Sequence, residues 1–232
     1  DVSLTDSTED YAVLALMGPE AARIVSECGA PELNELGYFK VGPAHIAGKH
    51  VRAARLSYVG EAGWEITMKA KNSAAIYTAL ANLGAKPAGL YAQTSMRIEK
   101  GFCAMGHELD SDVTPIDAGL DFATRKAGGF IGAEALAERR KKRGSSSLVS
   151  LKFHDETAIP LGHEPIYYDG KIIGKTSSCA FGYRIGKPVA LGMVRHHATS
   201  GIVVQVDIAR QFFDATLVTH PLYDPEGIRM KS

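Results

Sequence analysis

After Gly144-Ser145-Ser146-Ser147 the sequence changes its period, and that change limits the fold more than any single motif. Leu148 to Phe153, Ile166 to Tyr168, Lys171 to Thr176, Pro188 to Arg195, Ile202 to Ile208 and Phe213 to Thr219 are short strand-like runs at close spacing, with almost no helical periodicity among them. Such a series predicts a small barrel or sandwich. Asp169-Gly170 sits between two of the runs at the spacing of a two-residue hairpin, a type I′ turn signal. The chain therefore divides into a mixed region, 1–144, and an all-β region, 145–232.

The first region alternates helix and strand signals. Tyr11 to Met17 reads as a strand. Gly18-Pro19 then opens a helix, because Pro at the first helical position gives up an N–H that has no helical partner. Ala21, Ile24, Val25 and Cys28 recur at helical spacing, and Gly29 is a left-handed stop. Residues 30–50 are punctuated by Gly and Pro, with Tyr38 to Val41 as a candidate short strand.

Val51 to Tyr58 and Trp64 to Lys69 read as a strand and its return. Trp64, Ile66 and Met68 lie on one face, and Glu65, Thr67 and Lys69 on the other. Asn72 or Ser73 can cap a helix with Ile76, Tyr77, Leu80 and Leu83 as its apolar stripe and Gly84 as its end. Residues 90–100 and 131–143 read as further helices. The basic end of the last, Glu138 to Arg143, reads as a solvated terminus favoured by the helix dipole. The fold class is α+β, with the C-terminal all-β region a small β-barrel or sandwich.

Lys plus Arg and Asp plus Glu both number 26, so the formal charge is zero. That balance argues against a nucleic-acid binder and a membrane-surface module. No stretch approaches 18 apolar residues, so no membrane-spanning helix is expected. The N-terminal stretch lacks the basic and apolar regions of a signal peptide. Cys28, Cys103 and Cys179 are an odd, scattered set rather than a disulfide framework, which points to a reducing, cytoplasmic location.

No Cys-x-x-Cys, His-x-x-x-His or carboxylate cluster has metal spacing. His196-His197 on a strand point to opposite faces and make a poor chelating pair. Cys103 has no evident His partner to activate it. Without Gly-x-Gly-x-x-Gly or a Walker loop, FAD, NAD and ATP sites are not encoded here.

Three dense segments remain: Ser57 to Ile66, Tyr91 to Leu120, and Phe130 to Leu136. Each alone has a structural explanation. Gly60 and Gly63 permit a turn, Arg97, Glu99 and Lys100 form a solvated helix face, and Thr114-Pro115 breaks the chain before a strand. Together, in order and spacing, they resemble the glycine-cleavage T-protein (aminomethyltransferase) superfamily. The similarity is nearest to the C-terminal folate-binding region of dimethylglycine and sarcosine dehydrogenases. The residues that carry it are Tyr91-Ala92, Ser95, Arg97, Glu99-Lys100-Gly101, Gly106, Glu108-Leu109, Asp112, Thr114-Pro115, Ala118-Gly119-Leu120 and Phe130-Ile131-Gly132. The closing Pro221-Leu222-Tyr223-Asp224-Pro225 adds to it.

The resemblance implies tetrahydrofolate as cofactor and a small N-methyl or aminomethyl amine as substrate. It implies FAD only in a flavin domain upstream in the same polypeptide. Glu65 matches the family glutamate that grips the pterin. An ionised carboxylate is acceptor-only and matches two adjacent N–H donors. Tyr58 matches a family tyrosine near the folate, with a packed sheet-edge tyrosine as the equal alternative. Gln93 stands where the T-proteins often carry a folate-holding arginine, so a contact there would go through its amide. Arg97 is the nearest cation, and an ion pair with Glu61, Glu65 or Asp112 is as well supported as a cofactor contact.

The catalytic aspartate that the resemblance implies falls upstream of Asp1. Asp1, Asp6 and Asp10, on a terminus expected to fray, are no substitutes. The expectation is therefore a partial folate-binding domain, inactive alone, from a demethylating dehydrogenase or an aminomethyltransferase. A non-catalytic regulatory or interaction module of the same fold is the alternative. A folate-dependent demethylase of a sulfonium substrate is the weaker third reading.

Overall fold

The computed structural model describes residues 1–141, 146–195 and 199–231. The end of the basic run, Lys142-Arg143, the linker residues Gly144-Ser145, and His196-His197 lie outside the described residues. Two compact units are present, Asp1–Gly89 with Glu226–Ser232, and Leu90–Pro225. The division at 144/145 is of another kind. It separates the mixed region from the barrel strands, whereas compactness groups the last two helices with the barrel.

The first unit is a four-stranded antiparallel sheet, β1 (Tyr11–Met17), β2 (Val41–Ile46), β3 (Lys49–Arg55) and β4 (Gly63–Lys69), in the order β1-β4-β3-β2. Helices α1 (Ala21–Glu27) and α2 (Ser73–Asn82) supply Ile24, Val25, Ile76 and Leu80 to one core with Trp64, Ile66 and Met68. The alternation along β4 holds: those three β4 residues are buried, and Glu65 and Thr67 are only partly covered. The Trp64 indole donates to the Leu33 carbonyl at 3.1 Å, so its one polar atom is satisfied inside the core.

Several local readings are corrected. The helix α1 begins at Ala21, because Gly18, Pro19 and Glu20 form the turn before it. Tyr38 to Lys40 is not a strand; β2 starts at Val41 and joins β3 through Ala47-Gly48. Both turn residues have positive φ, +50° and +69°, the requirement of a type I′ hairpin. β3 ends at Arg55, three residues before Tyr58.

Neither Asn72 nor Ser73 caps α2 through its side chain. A 3-10 turn, Ala70–Asn72, precedes the helix, and the Ser73 hydroxyl donates back to Ala70 O at 2.8 Å. Tyr77 points half to solvent while Ile76 and Leu80 are buried.

The second unit joins α3 (Leu90–Glu99) and α4 (Ala133–Lys141) to six strands: β5 (Ser147–Phe153), β6 (Pro165–Tyr168), β7 (Lys171–Gly182), β8 (Lys187–Val194), β9 (Val203–Ile208) and β10 (Gln211–Val218). They form a closed barrel in the order β10-β5-β8-β7-β6-β9. Closure removes the free sheet edges that would otherwise be open to pairing. Leu151, Phe153, Ile166, Val206 and Leu217 fill its interior. Asp169 and Gly170, with φ of +48° and +71°, form the expected type I′ turn between β6 and β7. The architecture is α+β with a C-terminal barrel.

Candidate functional site

Glu65 sits at the middle of β4, with β1 and β3 on either side. Its register partners are Ala15 and Ala54, the smallest side chains that a strand accepts without glycine. Packing of Trp64 and Ile66 into the core turns Glu65 to the opposite face. There its carboxylate has neither hydrogen-bond nor ionic partner among the described residues, and alanine on both sides leaves room around it. A partly covered acceptor that no protein group uses fits a ligand edge carrying two adjacent N–H donors.

Tyr58 lies in the loop between β3 and β4, partly buried. The Ser57 hydroxyl organises this loop by accepting from Val59 N at 3.3 Å and Gly60 N at 3.0 Å. Gly60, with φ of +81°, belongs to the turn as expected. Gly63 does not. It is inside β4, and a β-carbon there would lie 2.4 Å from Leu16 O and 2.8 Å from Met17 Cα. The glycine serves close approach of β1, not turning.

Gln93 and Arg97 belong to the second unit, one turn apart on α3. Gln93 is partly exposed, and its amide has no partner among the described residues. Arg97 is buried. It donates to Glu108 Oε2 at 2.8 Å, to Phe102 O at 3.1 Å and to Ser178 Oγ at 2.6 Å. The expected ion-pair partners, Glu61, Glu65 or Asp112, are corrected to Glu108.

The solvated helix face is overturned as a whole, because Arg97, Glu99 and Lys100 are all buried. Glu99 accepts from the Arg184 guanidinium and from Arg184 N at 2.7 Å. Lys100 pairs with Asp224 at 2.9 Å, and Tyr223 N donates to Glu99 O at 2.9 Å. The closing Pro-Leu-Tyr-Asp-Pro segment is thus a latch for α3. Composition could not reveal this, because each charged partner is remote in sequence except Glu108.

Arg139 and Arg140, expected as solvated cations, pair with Asp117 and Asp121. Burial works to raise the Glu108 pKa. Hydrogen bonds involving Ser177 and Ser178, the Arg97 charge and the Ala104 N–H outweigh it, so the carboxyl is held below its usual value.

Burial raises the Cys103 thiol to about 11 and the Cys179 thiol to about 12, with nearby glutamates adding to both shifts. Neither is an activated nucleophile. No helix is long and apolar enough to cross a membrane among the described residues.

Residues 1–128 match the profile described as GCVT N-terminal domain, and residues 147–224 match the Glycine cleavage T-protein C-terminal barrel domain. The chain is 32% identical over 240 residues to a mitochondrial dimethylglycine dehydrogenase of Rattus norvegicus, a match covering 100% of this chain and 28% of that protein. It is 32% identical over 234 residues to an aminomethyltransferase of Rubrobacter xylanophilus, covering 98% and 62% respectively. A solved structure, the glycine cleavage system aminomethyltransferase T from Bartonella henselae, superposes with a TM-score of 0.81 at 30% identity. That match covers 93% of this chain and 60% of the other. The chain spans less than two thirds of the length of each of these relatives.

Proposed function

The chain belongs to the glycine-cleavage T-protein family, and from that premise we propose that it supplies the tetrahydrofolate-binding portion of a one-carbon transfer enzyme. The donor is an N-methyl or aminomethyl amine, and the role is like that of a dimethylglycine or sarcosine dehydrogenase. When bound, tetrahydrofolate supplies the nitrogens that accept the carbon unit. In the dehydrogenase-like form, oxidation of the amine belongs to a flavin domain outside this sequence.

The observation that carries the reading is Glu65, an unspent carboxylate at the centre of a sheet face and flanked by Ala15 and Ala54. Its two oxygens would accept from the pterin ring N–H and exocyclic amine. The sheet beneath fixes the direction of approach, since Trp64 and Ile66 lock the strand from the core side. Tyr58 adds a ring and a hydroxyl from the preceding loop. On the second unit, Gln93 carries an uncharged amide at the position where T-proteins often place an arginine. Arg97, committed to Glu108 and Ser178, contributes by anchoring α3 rather than by direct charge.

Calorimetry with folinic acid on the natural full-length protein and on its Glu65→Ala variant tests the assignment. Binding by the parent and loss in the variant support it. No binding by the parent, or equal binding by both, refutes it. Folate binding without any turnover of methylated amines would assign the same site to a regulatory module.

A further inference from the structure

We propose that His45 and His50 form a two-imidazole site for a borderline divalent cation, with copper(II) favoured over nickel and zinc, at the tip of the β2–β3 hairpin. The two residues are register partners on adjacent antiparallel strands. The type I′ turn at Ala47-Gly48 makes the flanking pair, Ile46 and Lys49, the hydrogen-bonded one. His45 and His50 are therefore the next, non-hydrogen-bonded pair, in which opposed side chains approach closest.

Their rings meet edge to face with centroids 5.4 Å apart. Both residues are exposed, and neither ring has a hydrogen-bond partner among the described residues. Two metal–nitrogen bonds of about 2.0–2.1 Å set the ligating nitrogens roughly 3 Å apart. Small rotations of rings already in contact reach that separation.

Imidazole suits copper, nickel and zinc, and affinity at a given nitrogen site peaks at copper(II). Water completes the coordination, since no group of three ligating side chains exists among the described residues. Cations near this end of the sheet include Arg52, exposed two residues along β3 from His50, and Lys69, next to the Val51 partner Met68, whose ammonium lies over the Tyr11 ring at 4.0 Å. The site is separate from Glu65. Ala54, the register partner of Glu65, is four residues from His50, about 13 Å along β3.

The test is copper(II) titrated into the purified chain and followed by electron paramagnetic resonance, with calorimetry for affinity. The parent should show a site coupled to two nitrogens. His45→Ala and His50→Ala should each lose one of the two couplings and weaken binding, with unchanged circular dichroism. An identical copper spectrum and affinity in the double variant would overturn the site. So would failure of the parent to show any two-nitrogen signal. Folate binding does not enter this readout, so it stands or falls apart from the Glu65 assignment.

Discussion

Arg97 and Glu108 meet at 2.8 Å with their side chains 3% and 0% exposed. The second Glu108 oxygen accepts from Ser177 at 2.6 Å, and the second Arg97 nitrogen donates to Ser178 at 2.6 Å. A helix, a loop and strand β7 are thus joined through one charge pair inside the second unit. Desolvation makes such a pair poor evidence of added stability. Breaking it is costly, because one charge is left buried alone.

Glu108→Leu should therefore destabilise the second unit by about 3–5 kcal/mol. Arg97→Met with Glu108→Leu should cost clearly less than the sum of the two single losses. Urea denaturation of the four proteins in a double-mutant cycle measures the difference.

Acid should weaken the same unit. The folded-state pKa of Glu108 lies below the ordinary value of 4.5, and that of Asp117 below 3.8. Burial opposes both shifts. Hydrogen bonds from Arg139 and Thr114 overcome it at Asp117. A depressed carboxyl pKa contributes stability that is fully present above the unfolded value and is lost as pH falls through the folded value. Unfolding free energy should decline as pH drops below about 4.5. Glu108→Gln should make that decline shallower in chemical denaturation at stepped pH.

Glu65→Gln should separate binding from folding. It keeps the side-chain size and removes the paired charged acceptors, a loss of about 1.5–3 kcal/mol for hydrogen bonds to a charged group. That corresponds to a folinic acid affinity roughly 10- to 150-fold weaker in calorimetry. Glu65 is off the core face, so thermal unfolding should move little.

Gly63→Ala should do the reverse. The added carbon meets the β1 backbone at Leu16 and Met17, which cannot give way as a flexible side chain can. Overpacking of this kind costs about 1–3 kcal/mol. Thermal denaturation should show the loss, and a turn-only role for Gly63 predicts none.

Thiol chemistry should report burial. With Cys103 and Cys179 raised to about 11 and about 12, native protein at pH 8 should alkylate slowly at both. Denatured protein should react rapidly. Mass spectrometry of iodoacetamide-treated samples counts the modified sites.

Local physics made much of this protein readable. Period-two alternation placed Trp64, Ile66 and Met68 inside and Glu65 outside, because successive strand side chains must point to opposite faces. Asp169-Gly170 announced its own turn, since few residue pairs tolerate two positive φ angles. Ala47-Gly48 carries no such signal, because alanine seldom takes a positive φ, and the hairpin there is imposed by strand pairing.

Pairing over distance was beyond the sequence. Arg97-x-Glu99-Lys100 reads as a solvated helix face, because isolated charges prefer water. Folding buries all three by bringing up Glu108, Arg184 and Asp224. Local pattern was enough for the division into a mixed and an all-β region, for most of the strands and helices, and for the outward side of Glu65. The tertiary structure alone decided which charges are shared, which glycine guards a close approach, and that two histidines face each other. Those outcomes depend on strand register and chain return, which no local periodicity encodes.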